Sequence, residues 1–450
     1  MKTKRNLIQI WLLCAAMLQA VTSGAQPVTK VAAGGYHSLF LKSDGSLWAM
    51  GDNQFGELGD GTDNNAFRPE RIVVSGVTAI AGGTLHSLFL MSDGSLWGMG
   101  YNGNGGLGDG TYGNRNQPEQ IVPSGVTAIA AGYNDSLFLM SDGSLWAMGY
   151  NNDGELGDGT FTYEWYTNQP ERIVNNGVTA IAGGVTHSLF LKSDGSLWAM
   201  GDNQFGELGD GTGNNTNRPE RIVTNGVTAI AGGNGHSLFL KSDGSLWAMG
   251  DNQFGELGDG TYNNAFRPER IVTNGVTAIA AGGGSSLFVK SDGSLWAMGY
   301  NAFGQLGDGT YGTAAPYGTN RPEQIVASGV TAIAAGGEFS LFVKSDGSLW
   351  AMGYNYYGQL GDGTYNWTNR PEQILAAYNQ ISIQLLSSGD VLLSFVGIAG
   401  ANYALDRSFN LAPANWVPLV TNPAGSVGVL VFTNTPNAAT NNFWRIRSVP

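Results

Sequence analysis

Two residue types recur at spacings that could do metal chemistry. His37, His86, His187 and His236 are the chain's four histidines, and they hold the same position in four copies of a repeating segment. Equivalent imidazoles set around an axis could ring a transition-metal ion. The other copies place Asp135, Ser285 and Phe339 there, a set that suits a residue capping a turn or facing a junction between units better than a metal ligand. A second series, Asp60, Asp109, Asp158, Asp210, Asp259, Asp308 and Asp362, sits in seven Leu-Gly-Asp-Gly-Thr segments and invites a hard cation such as calcium. One carboxylate per loop between glycines reads more simply as a turn in which the side chain accepts from its own backbone, and the sequence leaves calcium open. The chain has no nucleophile elbow, phosphate loop or paired acid and base, and Cys14 is its one cysteine. These residues point to a protein that is not an enzyme and needs no cofactor, with no metal site assigned and calcium left open.

The remaining chemistry is recognition. Between each Leu-Gly-Asp-Gly-Thr and the following proline, five copies have six residues, the third has nine (Phe161 to Gln169) and the sixth has eleven (Tyr311 to Arg321). A constant scaffold with one loop class varied is the usual layout of a binding surface. The varied loops are aromatic, with Phe161, Tyr163, Trp165 and Tyr166 in copy three, Tyr311 and Tyr317 in copy six, and Tyr365 and Trp367 in copy seven. Tyr and Trp give large contact area at low entropic cost, so these eight residues are the expected partner contacts. A second variation follows each Met-Gly: copies one, four and five have Asp52, Asp202 and Asp251, whereas the others have Tyr101, Tyr150, Tyr300 and Tyr354. If exposed, the four tyrosines make one sector of a rim aromatic; alternatively they pack under the neighbouring loop.

What must hold these loops is set by the repeat itself. Ser-Asp-Gly-Ser-Leu-Trp occurs seven times, ending at Trp48, Trp97, Trp146, Trp198, Trp247, Trp296 and Trp350. A period near 50 residues built from short strands is the signature of blades around an axis. In the second copy VTAIA, SLFL and SLWGM read as strands, Ser-Asp-Gly as a tight hairpin turn with Gly94 at positive φ, and Pro118 as the start of a short outer strand. The expected fold class is all-β: a seven-bladed β-propeller over 26–375, followed by a small β-sandwich-like module over 376–450 with Trp416 and Trp444 as core residues. The ring is expected to close by pairing Pro371 to Leu375 with the sheet begun at Val28, and the seven tryptophans to lie buried between blades.

The ordered recurrence of G-x-L-G-D-G-T, P-E-x-I-V, V-T-A-I-A-A-G-G, H-S-L-F-L and D-G-S-L-W resembles the regulator-of-chromosome-condensation repeat. The resemblance spans about residues 28 to 375 and implies a seven-bladed propeller. Among the secreted bacterial members it is similar to the β-lactamase-inhibitory propellers, which implies a binding protein. Guanine-nucleotide exchange, performed by some members, needs a GTPase that a secreted chain would not meet.

Composition supports an exported reading. Lys2, Lys4 and Arg5 precede an apolar stretch from Leu7 to about Ala20 and the small residues Ser23, Gly24 and Ala25, the pattern of a secretory signal over 1–25. Its removal would lower the formal charge by three, from −13 to −16, and leave no thiol. A chain this acidic is repelled by phosphate backbones, so no nucleic-acid partner is expected, and no membrane span in the mature chain. The C-terminal module reads as a surface attachment unit or as a domain that packs on the propeller. The function expected is a monomeric, secreted or cell-surface propeller that recognises a protein through the loops of one face. A glycan ligand is the alternative, since exposed aromatic rings also stack on sugars.

Overall fold

A computed structural model describes residues 26–375 and six strands of the C-terminal region, from Ser382–Leu385 to Phe443–Val449. Residues 1–25, where the signal is expected, lie outside the described residues, as do the side chains of 162–166 and of most of the C-terminal strands. The described elements are all strands.

The first 28 strands form seven antiparallel four-stranded sheets, each continuous in sequence. Blade one runs Val28–Ala33, His37–Lys42, Leu47–Gly51 and Ala66–Val73, and the later blades repeat it over 77–122, 126–174, 178–223, 227–272, 276–326 and 330–375. Within a blade the strands alternate as their residues dictate. His37–Lys42 is buried almost throughout because it lies mid-sheet with another blade on either face, while the outermost strand alternates towards solvent. Gly94 has φ of 79°, and a Cβ there would come within 2.9 Å of the Gly125 backbone nitrogen. Only glycine fits that hairpin. Pro118 lies inside the outer strand Arg115–Val122 rather than at its start. The strand is an edge, so the missing N–H interrupts no ladder.

Blades hold together through their faces. Leu39, Leu41, Leu47, Ala49 and Leu58 of blade one enclose Phe89 and Met99 of blade two, and each fully buried Phe is worth roughly 1.5–3 kcal/mol of transfer free energy. The tryptophans differ from expectation. Trp97 packs on the edge of that cluster but is only half-buried. It stacks on Phe89 at 6.1 Å with planes 10° apart and donates its N–H to Ser95 Oγ at 2.9 Å. An indole needs a polar partner that the phenyl ring does not, so Phe takes the fully buried position.

Ring closure also differs from expectation. Thr368–Leu375 pairs within blade seven, and blade one is complete without it. The first strands of successive blades pack on one another around the axis, and that of blade seven packs on that of blade one. Closure is by the same contacts as at other junctions: Gly363 N donates to Phe67 O at 2.8 Å, as Gly61 N does to Asn116 O at 2.7 Å. Because each loop already clasps the outer strand of the next blade, no exchanged strand is needed.

In the C-terminal unit six strands make two three-stranded antiparallel sheets, with Leu393, Ala404, Leu405 and Phe432 buried. Trp416 and the Trp444 side chain lie outside the described residues.

Candidate binding face

The histidines are structural. His37 is fully buried, and its Nε2 lies 2.8 Å from Ser87 Oγ in the next blade. Ser87 spends its one proton on Glu57 O at 2.8 Å, so His37 Nε2 must carry the hydrogen, while Nδ1 is buried with no partner to accept a second one. His86, His187 and His236 repeat this relay to Ser136, Ser237 and Ser286. Burial lowers His37 and His187 to about 3 and His86 and His236 to about 4. The Leu-Gly-Asp-Gly-Thr aspartates are occupied as well. Asp60 Oδ1 accepts from Thr62 N at 2.8 Å and from Asn53 Nδ2 at 3.0 Å, the self-accepting turn read from the sequence. No group of three or more metal-ligating side chains occurs among the described residues.

That same asparagine builds the platform for recognition. Asn53 Oδ1 accepts from Leu58 N at 2.9 Å while Nδ2 bridges to the aspartate, and the pattern recurs at Asn102, Asn203, Asn252 and Asn355. The residue before this asparagine donates its backbone N–H to the tip of the blade's first connection: Asp52 to Tyr36 O at 2.9 Å, Tyr300 to Gly284 O at 2.7 Å, Tyr354 to Glu338 O at 2.9 Å. Two loops of each blade are thus locked side by side on one face, and side chains at equivalent positions fall at one radius.

On blades five, six, seven and one this radius is aromatic and continuous. Phe254 contacts Tyr300 with centroids 4.6 Å apart, and Tyr300 meets Phe303 at 6.1 Å. Phe303 meets Tyr354 and Trp367, each at 4.9 Å. Tyr354 touches Tyr356 and Tyr357, and Tyr357 reaches Tyr36 of blade one at 5.2 Å. Trp367 is 45% exposed and Tyr356 59% exposed, so the arc presents rings to solvent on a rigid base. Of the half-buried tyrosines after Met-Gly, Tyr300 and Tyr354 are supports within it, whereas Tyr101 and Tyr150 lie outside it, against Phe55 and Tyr133. Their acidic counterparts make no exposed sector: Asp52 is buried and accepts from Asn53 N and Gln54 Nε2.

Of the expected contact residues, Trp367 belongs to the arc. Tyr365 lies against Phe67 at 4.2 Å where blades seven and one meet, 61% exposed. Tyr311 and Tyr317 are exposed on the long loop of blade six, and Phe161 on blade three. Tyr163, Trp165 and Tyr166 fall on the 13-residue strand Thr162–Val174, a strand extension where a loop is expected, and their side chains are outside the described set. Reading only length variation misses Phe254, Phe303, Tyr356, Tyr357, Tyr36 and Glu338. For Phe254, Phe303 and Tyr357 the signal lies in the constant-length segments: three residues after the Asp or Tyr stands Phe55, Phe205, Phe254, Phe303 or Tyr357, an aromatic series visible once the repeats are aligned.

The RCC1-like domain profile matches residues 115–397, and the regulator of chromosome condensation (RCC1) repeat matches residues 28–57, 77–105 and 44–90. The chain belongs to the RCC1-like domain family. Human WBSCR16 is similar in structure, with TM-score 0.66 and 22% identity over 75% of this chain and 96% of that one. Prp20p from Saccharomyces cerevisiae gives TM-score 0.65 and 22% identity over 80% of this chain and 89% of that one. The yeast RCC1 (Prp20) bound to Kap60 aligns equally, covering 86% of that chain. At this identity the likeness speaks for the fold. No curated protein matches in sequence.

Proposed function

We propose that this chain is a secreted, non-enzymatic binding propeller that recognises a protein through the face carrying the aromatic arc. The observation that carries the reading is the unbroken run of rings from Phe254 to Tyr36 across blades five, six, seven and one. Exposed aromatic residues on rigid supports are the composition of interface hot spots, where a few side chains supply most of the affinity. The four buried histidines are spent on blade junctions, which supports a scaffold rather than a catalyst. Family relatives support the class, since solved structures describe yeast RCC1 bound to Kap60 and Prp20p with binding properties to Gsp1p and histones. The signal-like N-terminus supports secretion, and the net charge of −13 favours a protein partner with basic groups over nucleic acid.

The test immobilises the mature protein and the double variant Tyr356→Ala, Trp367→Ala, exposes both to the producer's culture medium, and runs both on a glycan array. Protein retention by the wild type that the variant loses supports the reading. Equal retention by both overturns it, and glycan binding without protein retention replaces the protein partner with a sugar.

A further inference from the structure

The sevenfold repeat isolates one residue on this face. The tip of each blade's first connection is occupied by neutral residues such as Tyr36, Leu85 and Gly284, and Glu338 alone of the seven carries a charge. Its backbone carbonyl accepts from Tyr354 N at 2.9 Å, which fixes it beside the arc. The carboxylate is half-buried, and no lysine or arginine pairs with it among the described residues. Tyr354 meets Tyr36 at 5.9 Å, and Tyr36 and Tyr357 are 5.2 Å apart. Tyr300 comes from blade six, where Gly284 leaves the adjacent tip without a side chain; a Cβ there would lie 3.2 Å from Tyr300 Cβ and 3.4 Å from Phe254 Cδ2. Glu338 and Tyr36 also line the central cavity, about 330 Å³ in volume.

A carboxylate without a cation, partly withdrawn from water and set among aromatic rings, has a definite complement. Ring faces attract cations through their quadrupole, and a unit negative charge in reduced dielectric attracts them more strongly than it does in bulk water. An anion would be repelled, and a neutral sugar would leave the charge uncompensated.

We propose that Glu338, with Tyr36, Tyr300, Tyr354 and Tyr357, forms a cradle for one organic cation, a lysine or arginine side chain projecting from the partner protein. This rests on the reading of the aromatic face as the binding surface and names what that surface selects. It also assigns the central position on the face to a charge contact, with Trp367 and Tyr356 supplying apolar contact beside it.

The experiment uses single-cation probes, so that the chain's overall acidity does not dominate. N-acetyl-lysine methylamide, N-acetyl-arginine methylamide and the uncharged N-acetyl-norleucine methylamide are titrated into the mature protein and into Glu338→Gln, and binding is read from tyrosine ring signals by NMR. Saturable binding of the two cations, absent for norleucine and about tenfold or more weaker in Glu338→Gln, is expected. Equal binding of norleucine, or unchanged binding in Glu338→Gln, overturns the cradle. The two readings fail separately: loss of captured protein in Tyr356→Ala, Trp367→Ala alongside no cation binding removes the cradle and keeps the face, whereas retention in that variant removes the face itself.

Discussion

The Ser38 hydroxyl donates to the backbone carbonyl of Gln359 at 2.7 Å across 321 residues of sequence. This bond joins blade one to blade seven, and it repeats what Ser87 does with Glu57 and Ser237 with Glu207. The ring therefore closes through a contact that is ordinary for this chain and placed where its two ends meet.

Ser38→Ala should cost about 1–3 kcal/mol, because the buried Gln359 carbonyl loses its donor. Ser188 is the contrasting case, as its hydroxyl is buried with no partner, so Ser188→Ala should leave stability within about 0.5 kcal/mol of wild type. Chemical denaturation of the two variants checks this. Equal losses would contradict it.

Asp135 takes the histidine position facing Ser188 in blade three, and its two carboxylate oxygens are buried without partners. Its side chain is shorter than an imidazole and cannot span the junction. Asp135→His should restore the relay seen at four other junctions and raise the unfolding free energy by about 1 kcal/mol or more. A lower melting temperature for that variant would show that the junction does not accept the ring.

Stability should depend on pH in two opposed ways. Burial pushes Glu57, Glu207 and Glu256 up to about 7 and Glu155 to about 8 from 4.5. The folded state keeps protons that the unfolded state has shed, so this contribution is fully present below pH 4.5 and is lost as pH rises through 7 to 8. The neutral histidines act inversely: their contribution is present above pH 6.5 and is lost as pH falls towards 3 to 4. The melting temperature should rise from pH 8 to about 6.5, change little down to about 4.5 where the slopes offset, and fall below that. Gln305 and Gln359 already do this work with an amide oxygen, accepting from Phe303 N and Tyr357 N at 3.1 Å. Replacing the four glutamates with Gln should therefore remove the alkaline loss, and an unchanged profile would refute the assignment.

Trp198 is half-buried, stacked on Phe190 at 6.0 Å, with Lys192 Nζ 4.3 Å from its ring centre. Trp198→Ala should cost about 2–3 kcal/mol, less than the roughly 3–5 kcal/mol of a fully buried aromatic. Denaturant midpoints measure this, and a loss above that range would mean the indole is more enclosed than its exposure indicates.

The fold was legible because a repeat states its own period. Seven tryptophans at fixed phase, the Ser-Asp-Gly turns and the glycine-rich loops each point to the same four-stranded unit, so blade number and strand order follow from residue patterns. Closure was misread because the last outer strand has no following repeat, which suggests a strand in search of a partner; the loop clasp from Gly363 to Phe67 is a backbone contact that no side-chain pattern records. The site was legible in part. Trp367 and Tyr365 stand out by residue type, but Phe303 and Phe254 look like core residues in sequence, and Glu338 gains meaning only when Tyr36, Tyr300 and Tyr354 are seen around it.

Whether the aromatic face binds a protein is read from the affinity of the captured partner for three forms of the chain. Tyr356→Ala, Trp367→Ala should melt within a few degrees of wild type, both side chains being largely exposed, and should weaken the partner by about 2 kcal/mol or more, roughly 30-fold. Val74→Ala, at a 66% exposed position between blades one and two, should bind as wild type does. Equal affinity for all three forms would mean that the aromatic face is not the binding surface.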